Sequence, residues 1–305
     1  MAITKVRVKI NGTWTNLTKN SSTGKWTASV TAPSTTSYNL ANKYYPVTVE
    51  LTNDAGTVVT YESTDATFGE SLRLKVKETI KPTITLVSPS NSAYVTNNKQ
   101  PITFKVTDES SGSGINLSSV KLKIDSTTYT ATSTGMVSTG ITNGYQFVFT
   151  PPSALADGKH TITINASDND GNAATTVSAS FTIDTVPPVL TISSPTTGKI
   201  TNQAALTVEG VTNDATTSPA EVAILLNGTD VGTVTVGSDG SFSKDITLAE
   251  GTNSIVVTST DSAGQSTSIT LSVKLDTSVP TLKSIAMSPN PANTSASVAI
   301  TLEVE

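Results

Sequence analysis

Ile162-Thr163-Ile164-Asn165-Ala166-Ser167-Asp168-Asn169-Asp170-Gly171 alternates apolar and polar side chains and then runs into an Asp-x-x-Gly turn. The pattern recurs at Val47-Thr48-Val49-Glu50-Leu51-Thr52-Asn53-Asp54-Ala55-Gly56 and at Ile255-Val256-Val257-Thr258-Ser259-Thr260-Asp261-Ser262-Ala263-Gly264. A period of two puts successive side chains on opposite faces of a strand, so one face can be buried while the other meets water. Asp and Asn side chains bond nearby backbone amides, and glycine takes the positive φ that such turns require. The three glycines stand 115 and 93 residues apart, which suits repeated β-sandwich modules of about 100 residues.

A second repeat runs in phase with the first. Ile80-Lys81-Pro82-Thr83-Ile84-Thr85-Leu86-Val87-Ser88-Pro89 matches Val186-Pro187-Pro188-Val189-Leu190-Thr191-Ile192-Ser193-Ser194-Pro195. Val279-Pro280-Thr281-Leu282, reaching Ser288-Pro289, is a third version. Proline at a strand's first position removes a donor where no ladder bond is needed, and it stiffens the junction.

A third marker is Asn-Gly followed by an aromatic residue. Asn11-Gly12 precedes Trp26, and Asn227-Gly228 precedes Phe242, each with a spacing of 15 residues. Asn-Gly between alternating strands is a strong two-residue hairpin signal. The equal spacing predicts that Trp26 is a core aromatic standing where Phe242 stands.

These residues resemble bacterial Ig-like domains, including the type that accompanies glucodextranase. The resemblance is fullest from Pro188 to Gly264, through Leu226-Asn227-Gly228, Asp239-Gly240-Ser241-Phe242 and Glu250-Gly251-Thr252-Asn253-Ser254-Ile255. It covers residues 82 to 279, whereas residues 1 to 81 share only the two markers. The chain is therefore expected to be all-β: tandem immunoglobulin-like sandwiches on short proline junctions, forming a semi-rigid rod. The expected modules are an atypical, shortened Ig-like docking domain (1–81), Ig-like domains at 82–186 and 187–279, and the start of a further one at 280–305. The first module lacks its opening strands. Either Leu72-Arg73-Leu74-Lys75-Val76-Lys77, which alternates like a strand, fills that gap, or an open sheet edge is left for a partner. Such modules serve as spacers and adhesive stalks on bacterial surface proteins and phage virions, and the resemblance brings no catalytic residues.

Charge is unevenly placed. Residues 1–81 hold ten Lys/Arg against six Asp/Glu, while the remainder holds nine against eighteen. Lys5, Arg7 and Lys9 would share one strand face, as would Arg73, Lys75 and Lys77. A solvated outer face accounts for this pattern; a docking surface for an acidic neighbour is the functional alternative, and these six residues are its candidates. A net charge of −5 gives no case for nucleic acid.

Candidate chemistry thins out quickly. With one histidine and no cysteine, a His- or Cys-rich metal site and a disulfide framework are excluded, and His160 has no evident nucleophile beside it. No catalytic residue, cofactor or metal site is nominated, so the chain is expected to be no enzyme. Asp168-Asn169-Asp170-Gly171-Asn172 offers closely spaced oxygen ligands, but a twelve-residue calcium loop counted from Asp168 ends on Ala179 instead of an acid. A hairpin turn is the simpler reading, and calcium at Asp168 and Asp170, with help from Asp108-Glu109, stays open. Trp14, Trp26, Tyr38, Tyr44, Tyr45, Tyr61 and Phe68 crowd the first module, where packing or a protein interface competes with a sugar platform.

The N-terminus alternates charged and apolar residues from the start, unlike a signal peptide, and no segment has the length of a membrane-spanning helix. These features favour a bacteriophage virion structural protein, a tail, fibre or surface-decoration component assembled in the host cytoplasm. It would exist in many copies, dock on other virion proteins through residues 1–81, and offer host-surface glycans a weak adhesive contact, without nucleic acid binding or membrane insertion. The alternatives are a bacterial cell-surface adhesin or stalk, and a non-catalytic accessory region of a secreted carbohydrate-active enzyme.

Overall fold

The computed structural model describes residues 2–217 and 220–305. Strands dominate, and the chain divides into two compact units, Met1–Ile183 and Asp184–Glu305. Among the described residues no helix is long and apolar enough to cross a membrane.

The first unit opens with a sheet ordered Thr13–Asn16, Ile3–Ile10, Tyr45–Asn53, Val58–Tyr61. Asn11 and Gly12 both take positive φ, 47° and 83°, the combination a two-residue hairpin needs to match the twist of its strands. The expected strand at 72–77 shrinks to Arg73–Leu74, which pairs only with Tyr45 and Pro46. Leu72 instead ends a short 3-10 turn, Gly69–Leu72. Lys75 and Lys77 therefore do not continue a strand face from Arg73. Trp26 is also corrected: it is half-buried in a two-stranded ribbon opposite Lys19, outside either hydrophobic core. Phe242, by contrast, is buried and sits opposite Gly210, where a Cβ would run into its ring. Trp26 keeps the spacing of Phe242 but joins neither core cluster.

The rest of this unit is a sandwich. One sheet is ordered Met136–Ile141, Gly144–Phe149, Ile102–Thr107, Thr83–Ser88. The other runs Thr127–Thr130, Lys121–Ile124, Gly158–Asn165, Val177–Ile183, Ala93–Val95, with the last pair parallel. Along Ile102–Thr107 the residues Ile102, Phe104 and Val106 are fully buried while Lys105 is exposed. Phe104 stacks on Phe147 at 5.0 Å between ring centroids, and Leu122, Ile162, Ile164 and Phe181 meet them from the facing sheet.

The second unit repeats the plan. A three-stranded sheet, Val189–Ser194, Ala205–Asn213, Ser241–Thr247, faces a five-stranded one ordered Lys199–Thr201, Ser266–Leu275, Gly251–Thr260, Glu221–Leu226, Thr229–Asp230. Lys199–Thr201 again adds in parallel, as Ala93–Val95 does. Its core is built on Val208, Ile224, Phe242, Ile255, Val257 and Val273. The Asn227-Gly228 turn repeats the geometry of Asn11-Gly12, with φ of 52° and 83°. A two-stranded ribbon, Leu282–Ser288 with Ala299–Val304, follows with its side chains exposed.

The repeated Asx turns form as their chemistry dictates. Asn53 Oδ1 accepts from the N–H groups of Ala55 and Thr57, Asp168 Oδ1 from Gly171 and Asn172, and Asp261 Oδ1 from Gln265. Gly56, Gly171 and Gly264 stand at φ of 77°, 99° and 85°.

Candidate functional site

The six basic docking candidates fare differently. Register places Glu50 directly opposite Arg7, and the two side chains form a two-pronged ion pair, Nε to Oε1 at 2.7 Å and Nη2 to Oε2 at 2.8 Å. Hydrogen bonding from Arg7 holds the Glu50 carboxyl below its ordinary range. The Arg7 guanidinium also lies 4.2 Å from the Trp14 ring centroid, and Lys9 Nζ lies 5.2 Å from it, so Trp14 is held by cations on an exposed face. Lys5 and Lys75 are exposed. Arg73 pairs with Glu70 and approaches the Tyr44 ring at 5.2 Å. Lys77 Nζ donates to the backbone carbonyl of Asp170. Arg7, Arg73 and Lys77 are thus engaged within the chain.

His160 is buried, with Nδ1 2.8 Å from Asp125 Oδ2 and Nε2 2.8 Å from the Ala156 carbonyl oxygen. Both ring nitrogens are occupied, which leaves none to activate a hydroxyl.

The structure assembles carboxylates that lie far apart in sequence. Glu78, Asp108 and Asp168 bring one oxygen each within 4.8 Å of one another. Glu78 precedes the opening proline by four residues, Asp108 follows strand Ile102–Thr107, and Asp168 starts the Asp-x-x-Gly turn. Asp168 accepts from backbone N–H groups through Oδ1 and from Asn172 Nδ2 through Oδ2 at 2.7 Å. Asp108 Oδ2 accepts from Gly114 N–H, while Asp108 Oδ1 and the nearby Glu109 Oε2 are buried with no partner. The loop 110–114 closes over them at Gly112, where a Cβ would strike both carboxyls. Burial, reinforced by Asp168, pushes the Glu78 carboxyl up to about 7. Burial and Asp108 likewise raise Glu109. Burial also acts to raise Asp168, but the Glu78 carboxyl, Asn172 and the turn amides more than offset it and hold Asp168 low.

Asp170, named with Asp168 as a calcium ligand candidate, stands elsewhere. Its carboxylate accepts from Thr36 Oγ1 and from the Glu78 N–H, tying the turn to the preceding segment.

The second unit holds a matching cluster, Asp184, Asp214 and Asp261, all buried and again within 4.8 Å. Asp184 Oδ2 accepts from Thr217 Oγ1 at 2.6 Å, and Asp214 Oδ1 accepts from the N–H groups of Thr216 and Thr217. Asp261 Oδ2 is buried without a partner. Sequence reasoning passed over Glu78, Asp184 and Asp214, and read Asp261 as a turn residue alone. A signal for two of them was present: Glu78-Thr79-Ile80-Lys81-Pro82, Asp184-Thr185-Val186-Pro187-Pro188 and Asp276-Thr277-Ser278-Val279-Pro280 share one acid-Thr-x-x-Pro pattern.

Residues 78–185 match the family model described as a bacterial Ig-like domain, and residues 188–277 match that of glucodextranase domain B. The chain carries tandem bacterial Ig-like domains. Over 113 residues, 37% of this chain, it is 35% identical to bacillopeptidase F of Bacillus subtilis (strain 168), of whose length that match spans 7%. Among solved structures, the fibronectin(III)-like modules of Clostridium thermocellum CbhA are 16% identical, with 63% of this chain and 94% of that chain covered at a TM-score of 0.38. The immunoglobulin domains 1–4 of Sidekick-1 are 10% identical, covering 90% and 68% at a TM-score of 0.39. The Ig-like architecture is typically non-catalytic.

Proposed function

We propose that the chain is a non-catalytic docking and display component of a surface assembly, namely a bacteriophage virion. Residues 1–81 seat on other structural proteins, and the Ig-like modules after them present weak, repeated contacts to host-surface glycans. Many copies on one particle turn weak contacts into retention through effective concentration. The reading is supported chiefly by the opening sheet, whose edge strand Val58–Tyr61 leaves Val58 and Val59 about half exposed. Beside it, Val49, Leu51, Tyr61, Phe68 and Leu72 line an apolar groove of about 320 Å³. An unpaired strand edge with apolar side chains is a template for a partner strand.

The test is fractionation of lysed source cultures, with this protein quantified in purified particles and in cell envelopes. Enrichment in particles at fixed stoichiometry is the expected result, and a chain with Lys5→Glu and Lys9→Glu should be lost from particles while remaining folded. Normal incorporation of that variant would remove Lys5 and Lys9 from the docking surface. Enrichment in envelopes would establish instead the adhesin or stalk reading.

A further inference from the structure

We infer that copies of this chain bind one another: the cationic face of the opening sheet in one copy seats on an acidic groove in the second unit of another copy. The first surface is fixed by strand register. Lys9 stands opposite Trp14 and Thr48, Arg7 opposite Asn16 and Glu50, and Lys5 opposite Thr52. Residues directly opposite share a face, so Lys5, Arg7, Lys9 and Trp14 lie on one side of the sheet, with Val6 buried on the other. Glu50 is the only acid in these pairs, and Arg7 occupies it. Among the described residues, no ion pair involves Lys5 or Lys9. The Arg7 guanidinium lies over the Trp14 ring, yet Trp14 remains 37% exposed. A tryptophan braced by an arginine is the kind of side chain that anchors the energetic centre of an interface.

The second surface is the outer face of the sheet formed by Val189–Ser194, Ala205–Asn213 and Ser241–Thr247. Val208, Phe242 and Ile246 enter the core. Glu209, Val211, Ser243 and Asp245 alternate with them and so face outward, and all four are exposed. Register sets Glu209 against Ser243 and Thr207 against Asp245, which leaves the two acids one diagonal apart, about 7–8 Å. Ser193, Glu209, Gly210, Val211, Ser241 and Ser243 line a groove of about 510 Å³. Its serines and glycine leave room for an indole ring, and Val211, 46% exposed, offers it apolar surface. Lys244, the one cation on these three strands, stands opposite the core residue Val208 and donates to the Thr233 carbonyl. The outward side chains of these strands therefore carry negative charge alone.

Charge complementarity pairs the two surfaces. Residues 1–81 hold ten Lys/Arg against six Asp/Glu, and residues 82–305 hold nine against eighteen. The sandwich of the first unit offers no equal surface, because its strand Ile102–Thr107 turns Lys105 outward, opposite Gln146 and Thr85. Opposed charges speed the encounter and fix its register, and Trp14 entering the groove supplies the apolar contact. Since the two surfaces differ, the contact is heterologous and repeats into an open series of copies. This goes beyond the docking reading. Val49 and Leu51 alternate with Glu50 and line their groove from the opposite face of the opening sheet, so that groove and the strand edge stay available to other proteins.

The experiment uses the purified full chain away from any particle, and docking on particles is read separately by fractionation, so either reading can fail alone. Sedimentation velocity follows association from about 1 to about 200 μM, at about 50 mM and about 500 mM NaCl. Growth beyond the monomer with concentration is expected at low salt, weakened at least about fivefold at high salt, where exposed charges are screened. Lys5→Glu/Lys9→Glu and Glu209→Lys/Asp245→Lys should each weaken association at least about tenfold, since like charges then face one another. Mixed in equal amounts, the two double variants should associate as the parent does, because every contact in an alternating series again joins opposite charges. Trp14→Ala should weaken association about tenfold at either salt concentration. A parent that stays monomeric at every concentration in low salt would overturn the inference. So would charge-reversed variants that associate like the parent, or a mixture of the two that fails to recover.

Discussion

Asn253 is fully buried and makes four side-chain hydrogen bonds. Its Oδ1 accepts from Ala249 N–H and Asn227 Nδ2, and its Nδ2 donates to the carbonyls of Ala249 and Gly251, at 2.7 to 3.0 Å. It therefore joins the loop before the long hairpin to the Asn227-Gly228 turn, whose own Asn227 Oδ1 accepts from Ser254 N–H. Truncation in Asn253→Ala removes all four bonds. Ala249 is exposed, so water can reach its freed groups, and the loss per bond stays near the net value of about 1 kcal/mol. The sum is about 3–4 kcal/mol, a large fraction of the 5–15 kcal/mol that holds a typical domain folded. For a module of this size that should lower its melting temperature by more than about 10 °C. Both tryptophans, Trp14 and Trp26, lie in the first unit, so fluorescence would not report the event. Calorimetry of the full chain, with hydrogen exchange read in peptides from 241–275, would. Asn253→Asp keeps the acceptor toward Ala249 N–H but sets a carboxylate oxygen against two carbonyls. It should destabilise at least as much at neutral pH and recover as the pH falls. A loss below about 1 kcal/mol in Asn253→Ala would refute the claim that this side chain pins the loop.

Two further expectations follow from the core and from the first carboxylate cluster. Phe104→Ala removes a fully buried ring stacked on Phe147 and should cost about 3–5 kcal/mol; denaturant unfolding checks it, and a loss under 1 kcal/mol would show that the site collapses freely. Glu78 protonates more readily folded than unfolded, its carboxyl standing at about 7 against an ordinary 4.5. The folded state then holds the extra proton, so its stability is fullest below pH 4.5 and declines as the pH rises through 7. Melting curves of the parent and of Glu78→Gln across pH 4 to 8 test the sign, and the same slope in both would exclude Glu78 as its source.

How much of this was legible beforehand depends on the range of the interactions involved. The Asx turns are local: an acid or amide, two residues and a glycine complete them, so their three copies fold as their spacing implies. The alternation of Ile102, Phe104 and Val106 names the buried face without reference to any partner strand. Trp26 and Phe242 show where such reasoning stops. Both stand 15 residues after an Asn in Asn-Gly, yet only Phe242 has Gly210 beneath it and joins a core cluster. Likewise, the basic residue at position 7 looked available for docking until register set Glu50 across from it.

The carboxylate clusters belong wholly to the second category. Asp108 and Asp168 were each visible as acids near a turn, but Glu78 lies 30 residues from one and 90 from the other. No periodicity connects residues so far apart. The sequence by itself determined the all-β class, the repeated turns and which faces are apolar, because these depend on neighbours one to four positions away. Only the tertiary structure decided which acids share a point, which cations are already paired and which aromatic residues are buried. Those outcomes depend on strand pairing and sheet packing, which bring distant segments together.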